Sequence, residues 1–169
     1  MARRRPSRSI DSDARAPAAP TAERAWIEAC RVLARAARFE AEIATHLGRR
    51  GFTPAIVAGA LQALRDLRYV DDAMLARRRA EDLLLRRGCG RLRVAAELTR
   101  RGVADSVAEA AIMAALESHS EAELARRALR RRFDDAATLS GADRARAFRF
   151  LIGRGHPVEI VSEILGAQN

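Results

Sequence analysis

The chain has 169 residues, a formal net charge of +9 and a sequence pI of about 11.3. Its composition is 49% hydrophobic but only 4% aromatic, and Ala and Leu dominate the apolar residues, which favours helices over sheets. All 31 basic residues are Arg. A GC-rich genome accounts for the choice of Arg over Lys, whereas the excess of base over acid indicates a polyanionic partner, either nucleic acid or a nucleoprotein assembly.

Cysteine usage and hydropathy exclude several classes of protein. Cys30 and Cys89 are too few for a disulfide framework and have no Cys or His at ligand spacing, so we expect a reduced, cytosolic protein without a metal or other cofactor. No apolar run reaches about 18 residues, which predicts that nothing spans a membrane. The basic start MARRRPSRS lacks the apolar stretch of a secretory signal.

Residues 1–21 are rich in Arg, Ser, Pro and Ala and have no apolar period, so they are predicted to form a disordered basic arm. The arm either contacts phosphates or is a solvated tail. A three-helix unit is predicted over 22–68, in which Gly51 ends the second helix and Thr53-Pro54 begins the third. Its inward positions are predicted to be Trp26, Cys30, Leu33, Ala34, Ile43, Leu47, Ile56, Val57, Ala60, Leu61, Leu64 and Leu67.

The turn after the second helix occurs three times. LGRRGFTPAIVAGAL, LTRRGVADSVAEAAI and LIGRGHPVEIVSEIL place glycines at Gly51, Gly102 and Gly155, which are 51 and 53 residues apart. Apolar positions agree as well: Leu47 with Leu98 and Leu151, Ile56 with Val107 and Ile160, and Leu61 with Ile112 and Leu165. The pattern predicts an all-α protein of three tandem three-helix repeats in an elongated, curved array, because units of about 50 residues bury little core alone.

The second unit is predicted over 69–117. Asp71 or Asp72 is expected to cap its first helix, with the other carboxylate at the positive end of the helix dipole; a metal or acid/base site is the alternative. Arg79 falls on the apolar stripe of the helix 72–87, and its direction stays open. Gly88-Cys89-Gly90 is predicted to be a corner. The inward residues of the two flanking helices are predicted to be Leu75, Ala76, Ala80, Leu83, Leu84, Leu92, Ala95, Ala96 and Leu98.

The third unit is predicted over 118–169. Ser120 and Glu123 form a capping box at its start, and a polar loop follows from Asp134 to Gly141. Its last helix is expected to end near Leu165. Across the whole chain the three histidines are scattered, and neither a nucleophilic triad nor a GxxxxGK[ST] loop is present, so we expect no enzyme activity.

The order and spacing of these motifs resemble the RecX family of bacterial regulatory proteins over residues 24–165. The matching motifs are Glu42-Ile43, Leu47-x-x-Arg50-Gly51-Phe52, Leu67-x-Tyr69-Val70-Asp71-Asp72-x-x-Leu75-Ala76, Arg86-x-Gly88-x-Gly90, Leu98-x-x-Arg101-Gly102-Val103, Arg131-x-Phe133 and Arg146-Ala147-Phe148-Arg149-Phe150-Leu151-x-x-Arg154-Gly155. Departures from the family pattern include Phe39, Leu75, Arg79 and His156.

The resemblance implies a protein that binds filaments of the RecA recombinase on single-stranded DNA and modulates, mostly by inhibition, their ATPase and strand-exchange activities in DNA repair and recombination. We expect a cytoplasmic monomer whose partners are RecA and single-stranded DNA, with duplex DNA as a further option. The arginines expected to contact RecA or DNA are Arg77, Arg78, Arg86, Arg87, Arg91, Arg93, Arg100, Arg101, Arg130, Arg131, Arg132, Arg149 and Arg154.

A helix-turn-helix DNA-binding protein is the alternative, with residues 98–115 as its reading segment. The segment from Val103 to Leu116 contains no Arg with which to contact bases, which argues against this alternative. A passive scaffold of helical repeats is a third possible function, but it does not explain the positive net charge.

Overall fold

A computed structural model describes residues 21–133 and 139–166, and all the secondary structure in these ranges is helical. The predicted arm therefore lies outside the described residues except for Thr21, as does most of the predicted loop 134–141. The helices are α1 Ala22–Arg35, α2 Glu40–Arg49, α3 Pro54–Asp66, α4 Asp72–Glu81, α5 Arg91–Arg100, α6 Asp105–Leu116, α7 Glu121–Arg130, α8 Gly141–Gly153 and α9 Val158–Gly166. None of them is long and apolar enough to cross a membrane.

Side-chain caps set where several helices begin. The side chains of Thr21, Thr53 and Asp71 each accept a hydrogen bond from a backbone N–H in the first turn of the following helix. Ser120 and Glu123 form the predicted reciprocal capping box at the start of α7. Capping therefore accounts for the helix starts that were predicted from the sequence.

Glycine ends the second helix of each group of three. Gly51, Gly102 and Gly155 have φ of +84°, +81° and +82°, the left-handed region that other residues rarely adopt. The three segments that matched in sequence therefore form the same helix-turn-helix bend.

The nine described helices pack in three groups of three, and each group surrounds a hydrophobic cluster. We call these groups unit 1 (α1–α3), unit 2 (α4–α6) and unit 3 (α7–α9). The extensive helix contacts run within units, whereas neighbouring units meet mainly through turns and helix starts. The prediction of an all-α array of three tandem three-helix repeats is confirmed.

Some predicted inward positions are wrong. Leu67 and Leu92 are 58% and 54% exposed, while Val94, which the pattern missed, is fully buried. Leu67 follows the last residue of α3, so it has left the helical face that the period assumed. Ala34 and Ala96 are also exposed. On α1, Ala25 and Ala29 are fully buried, and the predicted inward residues Trp26, Cys30 and Leu33 are partly buried against the same core.

The predicted helix 72–87 changes its hydrogen-bond pattern before it ends. α4 stops at Glu81, and a π-helical turn continues over Asp82–Arg86. This wider turn still buries Leu83 and Leu84 in the core of unit 2. It leads directly into the corner at residues 88–90, where unit 3 contacts unit 2.

Candidate nucleic-acid interface

Arg101, one of the arginines expected to contact RecA or DNA, lies at the contact between units 1 and 2. Its guanidinium donates from Nε and Nη2 to Glu42 Oε1 at 3.1 and 3.0 Å and stacks over the Phe39 ring at 5.0 Å. Phe39 is fully buried in the core of unit 2 although it precedes α2 of unit 1. A Cβ on Gly102 would lie 2.4 Å from Ala41 Cβ, so the turn of unit 2 rests directly on the start of α2.

The carboxylate pair has a structural explanation. Asp71 caps its own helix by accepting from Met74 N at 2.8 Å, as predicted. Asp72 instead accepts from Glu40 N at 3.0 Å and so caps α2 of unit 1, a long-range contact that local sequence does not reveal. Burial raises the pKa of Asp72, and the nearby Glu40 carboxylate raises it further, whereas the backbone hydrogen bond opposes both. No group of three possible metal ligands occurs in the described ranges.

Units 2 and 3 meet through backbone hydrogen bonds. Gly90 N donates to Arg154 O at 2.8 Å, and Leu92 N donates to Gly155 O at 3.1 Å. A Cβ on Gly90 would lie 2.2 Å from Gly155 O, and one on Gly155 would lie 2.5 Å from Arg93 N. The backbone segments at Gly90 and Gly155 approach each other this closely because neither glycine has a side chain.

Side chains complete the contact between units 2 and 3. Arg154 Nη1 donates to the carbonyl of Gly88, with its guanidinium over the Phe150 ring, and Arg131 Nη1 donates to Arg86 O at 2.7 Å. His156 is buried with Nε2 3.4 Å from Gly88 O, and desolvation lowers its pKa. Arg131 and Arg154, which are also among the arginines expected to contact RecA or DNA, therefore take part in the contact between units 2 and 3.

The thirteen candidate arginines divide by their contacts. Nine have a partner in the protein: Arg77, Arg87, Arg91, Arg93, Arg100, Arg101, Arg131, Arg132 and Arg154. Among the described residues, the side chains of the other four have no acceptor or ring contact: Arg78, Arg86, Arg130 and Arg149. These four are exposed and are the members of the set that remain available to an anion.

Arg79, whose direction the sequence left open, is half-buried and pairs with carboxylates of its own unit. Its Nη2 donates to Glu97 Oε1 at 3.1 Å, and its Nη1 lies 3.9 Å from Asp82 Oδ2. The hydrogen bond from Arg100 lowers the pKa of the Glu97 carboxyl below its usual value, and the hydrogen bond from Arg79 lowers it further, although burial opposes both. Arg79 also borders a groove that is lined by arginines of unit 1. The sequence pattern did not identify these unit 1 arginines as candidates.

The fold and its surface define a class of protein: an all-helical tandem-repeat protein with exposed, unpaired arginines on units 2 and 3. A family model for the second three-helix domain of RecX matches residues 71–112. The chain is 35% identical over 133 residues to "Regulatory protein RecX" of Syntrophotalea carbinolica, covering 78% of this chain and 87% of the relative. It is 37% identical over 134 residues to that of Chromohalobacter salexigens, with 79% and 86% covered.

Solved structures share the fold. The crystal structure of RecX from Lactobacillus salivarius superposes with a TM-score of 0.72 at 16% identity, covering 86% of this chain and 95% of that one. A second crystal structure, of a regulatory protein RecX, gives a TM-score of 0.68 at 20% identity, with 85% and 72% covered. The chain belongs to the RecX family of regulatory proteins, and a regulatory role follows from that membership.

Proposed function

We propose that this protein binds RecA filaments on single-stranded DNA and lowers their ATP hydrolysis and strand exchange. Membership of the RecX family, with an array that spans most of each relative, supports this proposal. The observation that carries it here is the set of four exposed, unpaired arginines on units 2 and 3. A cytoplasmic monomer that needs no cofactor is part of the same proposal.

Arginine suits both surfaces that such a filament presents. Its planar guanidinium forms paired hydrogen bonds with phosphate and with carboxylate, so the same side chains are able to contact DNA and acidic protein faces. Arg78 and Arg86 lie on one continuous helical segment of unit 2, while Arg130 and Arg149 lie on α7 and α8 of unit 3. A partner that contacts all four must extend over two units.

The test measures ATP hydrolysis by RecA on single-stranded DNA with increasing amounts of the protein. We expect inhibition at substoichiometric protein and roughly tenfold weaker inhibition by the double variant Arg78→Glu/Arg86→Glu, because two charges are reversed at the contact. Arg68→Glu/Arg127→Glu is the matched control, since both side chains are exposed and unpaired in the described structure and lie outside the candidate set.

Two outcomes contradict the proposal. Wild-type protein without effect on hydrolysis, but with tight binding to duplex DNA, favours the helix-turn-helix alternative. Equal inhibition by both double variants would show that Arg78 and Arg86, two of the four arginines on which the proposal depends, do not contact the filament. The sequence of α6 already weighs against a reading helix, because its charged residues are Asp105 and Glu109.

A further inference from the structure

A groove of about 800 Å³ lies between units 1 and 2. Of the thirteen arginines expected to contact RecA or DNA, Arg100 and Arg101 line it. Its lining comes from the end of α1, the length of α2 and the end of α5, and includes the contact of Gly102 with Ala41. The residues that line it are Val32, Arg35, Arg38, Ala41, Glu42, Thr45, His46, Arg49, Arg79, Glu97, Arg100, Arg101 and Gly102.

The groove has a strong positive charge. Six arginines face two carboxylates, which gives a formal charge of +4 when the histidine is neutral. Glu42 pairs with Arg101, and Glu97 pairs with Arg79 and Arg100, so the two carboxylates are already engaged by arginines of the groove. Positive charge that is not neutralised by the protein is therefore concentrated at the rim.

Unit 1 supplies the rim. Arg35 and Arg49 are exposed and have no side-chain partner among the described residues. Arg38 is 42% exposed and has only a long contact, 3.8 Å, with Glu42. Unit 2 contributes Arg100, which shares the Glu97 carboxylate with Arg79 but keeps its side chain 74% exposed. Four arginines from two units thus surround the same opening, and their positive potentials add within it.

The remaining lining decides which polyanion fits. Tight binding of a peptide gains most of its energy from buried anchor side chains in well-packed pockets, and reading of bases needs aromatic platforms or hydrogen-bonding groups set at base edges. The groove offers neither, since Val32, Ala41, Thr45 and Gly102 are its small uncharged residues and it has no aromatic lining. Arginines over a small-residue floor suit a sugar-phosphate backbone, which is bound through its charges and without regard to sequence.

We propose that this groove binds the backbone of a single nucleic-acid strand, with Arg35, Arg38 and Arg49 of unit 1 and Arg100 of unit 2 contacting phosphates. Such a strand bridges the contact between the two units and holds it together. The inference rests on the proposed function for the presence of single-stranded DNA beside the protein, yet its test requires no RecA.

Fluorescence anisotropy with a labelled oligothymidylate and the full chain measures this binding directly. We expect the Arg35→Gln/Arg49→Gln variant to bind roughly tenfold more weakly than wild type. The slope of log K against log salt should also fall by about 1.4, because each lost phosphate contact on a single strand removes about 0.7. Arg68→Gln/Arg127→Gln removes the same charge elsewhere and should change both quantities much less.

The substituted side chains make no described contacts, so both variants should fold, and circular dichroism checks this. The inference is overturned if wild type does not bind the oligonucleotide, if the two double variants lose affinity equally, or if polyglutamate competes as well as the oligonucleotide. A groove variant that loses DNA binding but still inhibits RecA supports the groove and separates it from the filament contact. If Arg78→Glu/Arg86→Glu loses RecA inhibition but still binds the oligonucleotide, the filament contact and the groove are separate sites, as proposed.

Discussion

The two contacts between neighbouring units use the same turn but different chemistry. In both, a turn that ends in Arg-Gly rests on the start of the second helix of the preceding unit. Units 1 and 2 are joined by side chains, with Arg101 paired to Glu42 and stacked on Phe39. Units 2 and 3 are joined by backbone hydrogen bonds that begin at Gly90.

The first turn shows what the motif does without a neighbour. Gly51 has the same left-handed φ as the other two glycines, but a Cβ there would meet nothing within 4 Å. Arg50 pairs with Glu28 of its own unit instead of contacting another unit. The repeated Arg-Gly therefore specifies the turn, while the neighbouring surface determines whether that turn becomes a contact.

Substitution of Gly90 should produce the largest difference between the two contacts. Gly90 has φ −83°, which alanine adopts without strain, but the new Cβ would lie 2.2 Å from Gly155 O. Backbone on both sides leaves no side chain to move away, so we expect Gly90→Ala to lower the free energy of unfolding by about 3 kcal/mol in urea titrations.

Gly59 provides the control for this substitution. It lies within α3 with open space around its Cβ position, so Gly59→Ala should raise the stability by roughly 0.5–1 kcal/mol. Wild-type stability in Gly90→Ala would mean that units 2 and 3 do not meet as described.

Removal of Arg101 should have an intermediate effect on the side-chain contact. Its side chain is 22% exposed and makes a two-nitrogen contact with Glu42, so Arg101→Ala should cost about 1–2 kcal/mol of unfolding free energy. Arg100→Ala removes a neighbouring arginine that is 74% exposed and should cost less than about 0.5 kcal/mol. Equal losses from the two variants would show that Arg101 has no special structural role.

A change of pH should have the smallest effect on the free energy of unfolding. The effect should have opposite signs at His156, in the contact between units 2 and 3, and at Asp72, in the contact between units 1 and 2. Because burial lowers the pKa of His156 from 6.5, the unfolded chain binds a proton more readily, and stability falls as pH drops below 6.5. Asp72 acts oppositely: its pKa is raised from 3.8, so its ionisation lowers stability as pH rises above 3.8.

Urea titrations of wild type and His156→Leu at about pH 7.5 and pH 5.5 isolate the histidine. The stability difference between the two proteins should shift in favour of the variant at the lower pH. A difference that is independent of pH would mean that His156 is not held neutral at the contact between units 2 and 3.

Local rules predicted the helices and the turns well. Thr53 and Ser120 cap helices as their spacing indicated, and Gly102 adopts the left-handed conformation expected one position past a helix end. These features depend on a few neighbouring residues, so the sequence contains the information needed to place them.

Packing between units was not predictable from the period alone. The apolar stripe of α5 suggested that Leu92 points inward, yet Leu92 N bonds to Gly155 O and its side chain is exposed, while Val94 enters the core. Phe39, assigned to unit 1, fills the core of unit 2. A helical period identifies an apolar face, but the neighbour that covers it is decided by contacts distant in sequence.

The sequence by itself determined the helical class, the threefold repeat, the glycine turns and an excess of arginine, because composition and short-range spacing specify these properties. Only the tertiary structure decided which arginines are free. Arg101 and Arg154 are used in holding units together, whereas Arg35 and Arg49 converge with Arg100 on one groove. An exposed cation and a structural one have the same letter in the sequence, and they differ only in whether folding brings a carboxylate, a carbonyl or an aromatic ring within reach.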